Sequence, residues 1–120
     1  MYKNNVSEFV RLLMNSRNQA HVFHLTTKSY AQHKALQKYY EGIVPLLDLY
    51  AETYMGAYGN LKNVKSNKRY LVDPKNVKKY FRILMTRINK LKLPKNSELR
   101  NILDSIKELI RGTSYKLSLK

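Results

Sequence analysis

The chain has 120 residues, no cysteine and a formal charge of +15, from 23 Lys and Arg against 8 Asp and Glu. That length is one domain's worth, and 43% hydrophobic residues suffice for a core without covalent staples. The composition excludes disulfides, thiolate metal sites and a thiol nucleophile, so any metal would need His and carboxylate ligands.

A field of this sign draws polyanions before any specific contact forms, which makes DNA the expected partner. The opposing explanation is AT-rich coding, which also enriches Lys, Asn and Tyr. The longest uncharged apolar stretch, Gly42 to Leu47, contains a proline and is far too short to cross a bilayer. Residues Met1 to Ser7 are polar and lead into no apolar run of the kind a secretory signal needs. A soluble intracellular protein with no membrane partner is expected.

Phe9, Leu12, Leu13, Ala20 and Phe23 recur in steps of three and four, predicting a first helix from about Val6 to Leu25. Ser29 is placed to cap a second helix that starts near Tyr30. Its seam is Leu36, Tyr40, Ile43, Leu47, Tyr50 and Tyr54, with His33 in register. Pro45 lies inside this run and cannot donate to the Glu41 carbonyl, so a bend is expected there. Gly56 and Gly59 end the helix, and a long basic connector follows to Val72.

Asp73-Pro74 is a helix start, with Val77, Phe81, Leu84, Ile88 and Leu91 as the apolar face and Pro94 as the stop. Ser97 is the expected cap of a fourth helix built on Leu99, Ile102, Leu103, Ile106, Leu109 and Ile110, with Gly112 as its end. The expected fold is all-α: an antiparallel four-helix bundle with a kinked second helix over residues 1–112. A short, basic, mobile tail over 113–120 would follow.

From Thr53 to Ser97 there are twelve Lys or Arg and one acid, Asp73, so this stretch carries 12 − 1 = +11. The candidate nucleic-acid contacts are Lys62, Lys65, Lys68 and Arg69 in the connector and Lys75, Lys78, Lys79 and Arg82 on the third helix, opposite its apolar seam. The competing reading is an ordinary solvated helix face.

All three histidines, His21, His24 and His33, bracket the turn between the first two helices, and Asp48 and Glu52 form an i, i+4 carboxylate pair further along the second. The fifteen steps from His33 to Asp48 span roughly 22 Å of helix, so one chain cannot bring both to one ion. Two chains with antiparallel second helices would build two mixed sites at a dimer interface. The competing reading is that the histidines cap or pack at the turn.

The order His, His, Asp, Glu over these helices, with fifteen positions from His33 to Asp48 and four more to Glu52, resembles the Dps family (DNA-binding proteins from starved cells), which are ferritin-like bundles. The run from His24 to Ala35 also resembles a small Dps-like family of large DNA viruses and phages. The resemblance covers roughly Ser16 to Gly59. It implies iron as the metal, a ferroxidase site shared across a two-fold interface, and ligand roles for His33, Asp48 and Glu52. The remaining histidine is His21 by the Dps spacing or His24 by the viral motif; Leu25 or Val22 stands where the family has Trp.

Two functions follow as expectations. The first is a Dps-like, iron-binding, DNA-associated homo-oligomer. The second is a non-enzymatic structural or nucleic-acid-associated protein of a virus or phage particle.

Overall fold

The computed structural model, which describes residues 2–65 and 69–119, begins with α1 (Lys3–Thr26) and α2 (Tyr30–Tyr58). A single 3-10 turn (Pro74–Asn76) leads into α3 (Val77–Asn89), and α4 is Ser97–Ser118. No strand occurs among the described residues.

Local chemistry accounts for three boundaries. Ser29 Oγ accepts the Gln32 amide at 3.2 Å and opens α2; Asp73 Oδ1 accepts the Lys75 amide at 3.0 Å and opens the 3-10 turn. Helix α2 runs without interruption through Pro45, whose ring is exposed, and closes at Gly59, where φ is +99°. That left-handed backbone is one a side chain resists, so Gly59 rather than Gly56 is the terminator.

Helix α1 starts at Lys3, ahead of the expected Val6, α3 ends at Asn89, short of Leu91, and both ends of α4 differ from expectation. Asn96 holds the N-cap position of α4 without a side-chain bond, and Ser97 is already helical. More consequentially, α4 does not stop at Gly112. It continues to Ser118, burying Thr113 and Leu117, so residues 113–118 are the last turns of the bundle and not a loose tail. The apolar spacing Ile106, Ile110, Thr113, Leu117 keeps its steps of four, three and four, and burial along that stripe outweighs the roughly 1 kcal/mol helix penalty of one glycine.

Helix α2, at 29 residues, spans about 43 Å at 1.5 Å per residue and sets the 43 Å long axis of the molecule. It packs on α1 and on α4, while α3 closes the ring against α4 and α1. Gly42 permits close passage of α2 by α4: a Cβ there would lie 3.3 Å from Leu109 Cδ2.

The connector supplies the topology. It is tied to α1 near its start, where Ser7 Oγ donates to the Lys62 carbonyl at 3.2 Å, and near the other end, where Gln19 pairs with Leu71. Gln19 Nε2 donates to the Leu71 carbonyl at 2.6 Å and its Oε1 accepts the Leu71 amide at 2.8 Å, as a strand neighbour would. The chain therefore travels the length of α1 before α3 begins, so α2 and α3 run in the same direction. Every neighbouring pair in the ring is antiparallel, with one long crossover.

The core is aromatic at its centre. Phe9 meets Tyr50 edge-on at 4.8 Å, and Tyr39 meets Phe81 at 4.9 Å. Ser16 spends its proton on the Leu13 carbonyl at 2.7 Å, so the Tyr39 hydroxyl donates to Ser16 Oγ, also at 2.7 Å. The Tyr50 hydroxyl is equally buried but has no partner. Burial pushes both phenols well above their ordinary pKa.

The two tyrosines should therefore respond oppositely to loss of the oxygen. Tyr39→Phe is expected to destabilise by about 1 kcal/mol, and Tyr50→Phe to stabilise by a similar amount, because it removes an unpaired buried hydroxyl. Urea unfolding of the two variants is the check. Shifts of the same sign would contradict this accounting.

Candidate metal centre and nucleic-acid interface

The turn from α1 to α2 is only Thr27 to Ser29, which forces His24 and His33 together. His24 Nδ1 lies 2.7 Å from the His33 carbonyl, and His33 Nδ1 lies 2.9 Å from the His24 carbonyl. A carbonyl only accepts, so both Nδ1 atoms carry protons and both Nε2 atoms are bare in the neutral rings. The rings stack at 3.6 Å with 20° between planes. His24 is buried and His33 half-buried.

This reciprocal clamp has a local reason. Helix α1 ends at Thr26, so the His24 carbonyl lies in the last turn, where no helical amide follows to satisfy it. The imidazole of His33 supplies that donor.

His21 is held differently. Its Nδ1 lies 3.3 Å from the Arg17 guanidinium, which only donates, so its proton resides on Nε2 when the ring is neutral. The ring stacks on Tyr40 at 4.5 Å, and Arg17 lies 5.3 Å from the centre of the same Tyr40 ring. Burial, then the charge of Arg17, then His24 hold the His21 pKa below its ordinary value.

Asp48 and Glu52 both lie on the exposed side of α2, one turn apart, and neither makes an ion pair among the described residues. The ion pair present there joins Glu8 to Arg11, whose Nε donates at 2.9 Å; that bond holds the Glu8 carboxyl below its usual range. No three His, Asp or Glu side chains converge on one point among the described residues. A metal bonds an imidazole nitrogen close to the ring plane at about 2.1 Å. Two nearly parallel rings 3.6 Å apart cannot both direct a lone pair at one ion. The histidine pair as it stands is a clamp, and the described residues of one chain bring no third His, Asp or Glu to it.

The basic residues are exposed. Lys62, Lys65 and Arg69 are exposed on the connector, Lys75 on the 3-10 turn, and Lys78, Lys79 and Arg82 on α3. Lys68 lies outside the described residues. Arg69 and Lys79 line one groove beside Arg87, and Lys62 and Lys65 line a separate recess beside Arg11 and Glu8. Helix α3 contains no acid, and the carboxylate of Asp73 is spent on capping.

The connector also forms a feature that spacing alone did not reveal, a groove between α1, the connector and α3. It has a volume of about 440 Å³. Arg69, Lys79 and Arg87 line it together with Asn15, Tyr70, Tyr80 and Ile83, and no carboxylate does. Asn15 Nδ2 donates to the Tyr80 hydroxyl at 2.9 Å, while Asn15 Oδ1 is buried without a partner. Burial raises the Tyr80 pKa, opposed by the Asn15 bond and by the nearby charges of Arg87 and Arg11.

Residues 24–117 match a family described as Family of unknown function (DUF5856). The chain belongs to that family. The DUF5856 region begins at His24 and takes in both rings of the clamp, the connector, the basic helix and α4 beyond Gly112. The chain is also 27% identical over 113 residues to an uncharacterised 14.6 kDa protein in the mobD-ri intergenic region of Enterobacteria phage T4, covering 94% of this chain and 88% of that one. No solved structure matches. Among the described residues no helix is long and apolar enough to cross a membrane.

Proposed function

We propose that this protein binds nucleic acid through the phosphate backbone, as a nucleic-acid-associated component of a phage. The observation that carries the reading is the run of exposed cations on the connector, the 3-10 turn and α3, in which α3 holds no acid and Asp73 is engaged as a cap. Lys and Arg side chains on a rigid helix match evenly spaced phosphates, and release of counterions drives the association. A relative in a phage is compatible with this, since nucleic acid is the polyanion a phage protein meets in quantity.

The test is binding of a labelled duplex of about 30 base pairs followed by fluorescence anisotropy as salt rises. The expected slope of log affinity against log salt is about −0.9 per phosphate engaged, hence about −4.5 for five contacts. Absence of binding at about 20 mM salt, or binding that ignores salt, removes the proposal.

A second reading is iron held between two chains of a ferritin-like homodimer. Two observations favour it: a bare Nε2 atom on either ring of the His24–His33 pair, one of which could serve a given ion, with its other nitrogen bonded to a carbonyl in the way that orients metal ligands, and the single long crossover that ferritin-like bundles share. Exposed Asp48 and Glu52 of one chain would complete the set for the other. This reading requires a dimer and iron-dependent oxidation, neither of which the first requires.

A further inference from the structure

We propose that the groove between α1, the connector and α3 receives one unpaired nucleotide of a nucleic-acid strand, giving the protein a preference for single strands. The inference rests on the phosphate-binding reading above and assigns a specific job to one part of that surface. The groove is recessed, and its volume of about 440 Å³ falls within the range of sites that enclose small ligands. A duplex presents its phosphates on a convex cylinder with its bases stacked inward, so it can touch the rim but cannot fill the recess. An unpaired nucleotide can enter it.

The lining supplies each part of such a unit with a partner. Arg69, Lys79 and Arg87 offer charge and forked donors for a phosphate with no carboxylate to compete. Ile83 is 41% exposed and lines the groove together with Tyr70, apolar surface that a base face would cover. Asn15 adds polarity at the same wall. Its Oδ1 is a buried acceptor with no donor, a state that proteins rarely leave uncompensated, and the amino or imino N–H of a base would satisfy it after a small turn of the amide.

The experiment compares an unstructured strand of about 30 nucleotides, a duplex of equal length and a pyrimidine mononucleotide at matched salt. Three proteins are used: wild type, Ile83→Ala/Arg87→Ala in the groove, and Lys78→Ala outside it. All three substituted residues are exposed, so the fold is retained, and circular dichroism checks this. Wild type is expected to favour the single strand by about tenfold, as stacking of a base on a side-chain platform provides. The groove variant should bring the two affinities to parity with little loss on duplex, and Lys78→Ala should weaken both while keeping the preference.

Equal affinity of wild type for the two forms, or a preference that survives in the groove variant, overturns the proposal while leaving phosphate binding intact. Binding of neither form overturns both. Competition by the mononucleotide without any strand preference reassigns the groove to a free nucleotide and overturns the strand assignment.

Discussion

The triple variant Lys75→Ala/Lys78→Ala/Arg82→Ala is expected to lose affinity for duplex and single strand alike, on the order of one hundredfold at low salt. It should also flatten the salt dependence by about 2.7, three contacts at about 0.9 each. All three side chains are exposed and none has a carboxylate partner among the described residues, so the fold gives up no ion pair. The melting temperature should be unchanged or slightly raised, because like charges repel along this run. Anisotropy titrations at several salt concentrations, beside a thermal melt, measure both. Unchanged affinity and slope would mean that the charge reflects coding bias and not binding. The variant also separates the open face from the groove: losing face cations weakens both strands equally, whereas losing groove residues removes only the preference.

The fold was legible because helical periodicity is written in the core residues themselves. Phe9, Leu13, Phe23, Ile43, Leu47, Phe81 and Ile106 all lie buried where their spacing placed them. Caps were readable where the side chain makes the bond, as at Ser29 and Asp73. The end of α4 was not, because glycine marks an end only when the backbone turns left-handed, and Gly112 keeps a helical backbone while Gly59 does not. The crossover of the connector was also hidden. It depends on Gln19 meeting Leu71, fifty-two positions apart, and no local pattern announces such a pair.

The candidate sites divide along the same line. The basic run was visible as charge density, since exposure is the ordinary fate of Lys and Arg. The groove was not, since Asn15, Tyr70 and Arg87 come from three separate segments. Arg87 could have been noticed, because it lies four residues beyond Ile83 and eight beyond Lys79, on the same side of α3. For the histidines the company was legible but not the orientation: their closeness followed from the short turn, and their stacking from the reciprocal bonds of each ring to the other residue's carbonyl.

That orientation leads to the last expectation. In metal-free buffer with chelator, His24→Ala and His33→Ala should each destabilise the protein by about 2 kcal/mol, since each removes a hydrogen bond to a backbone carbonyl and a stacked ring. The double variant should fall short of the sum by about 1 kcal/mol, because the two bonds and the stack belong to one unit. Additive losses would show two independent packing residues instead. Iron leaves a different mark on the same proteins. A site completed by a second chain would make Fe(II) stabilise wild type by about 2.7 kcal/mol at one hundred times its dissociation constant. That gain would vanish in His24→Ala and in Asp48→Ala/Glu52→Ala, and the double carboxylate variant would oxidise Fe(II) no faster than buffer. The clamp acts within one chain, so it survives dilution to monomer, whereas iron held between chains does not. A wild type that shows the chelator-insensitive coupling and no response to Fe(II) keeps the histidines as the lock of the α1–α2 turn and leaves the basic run as the working surface.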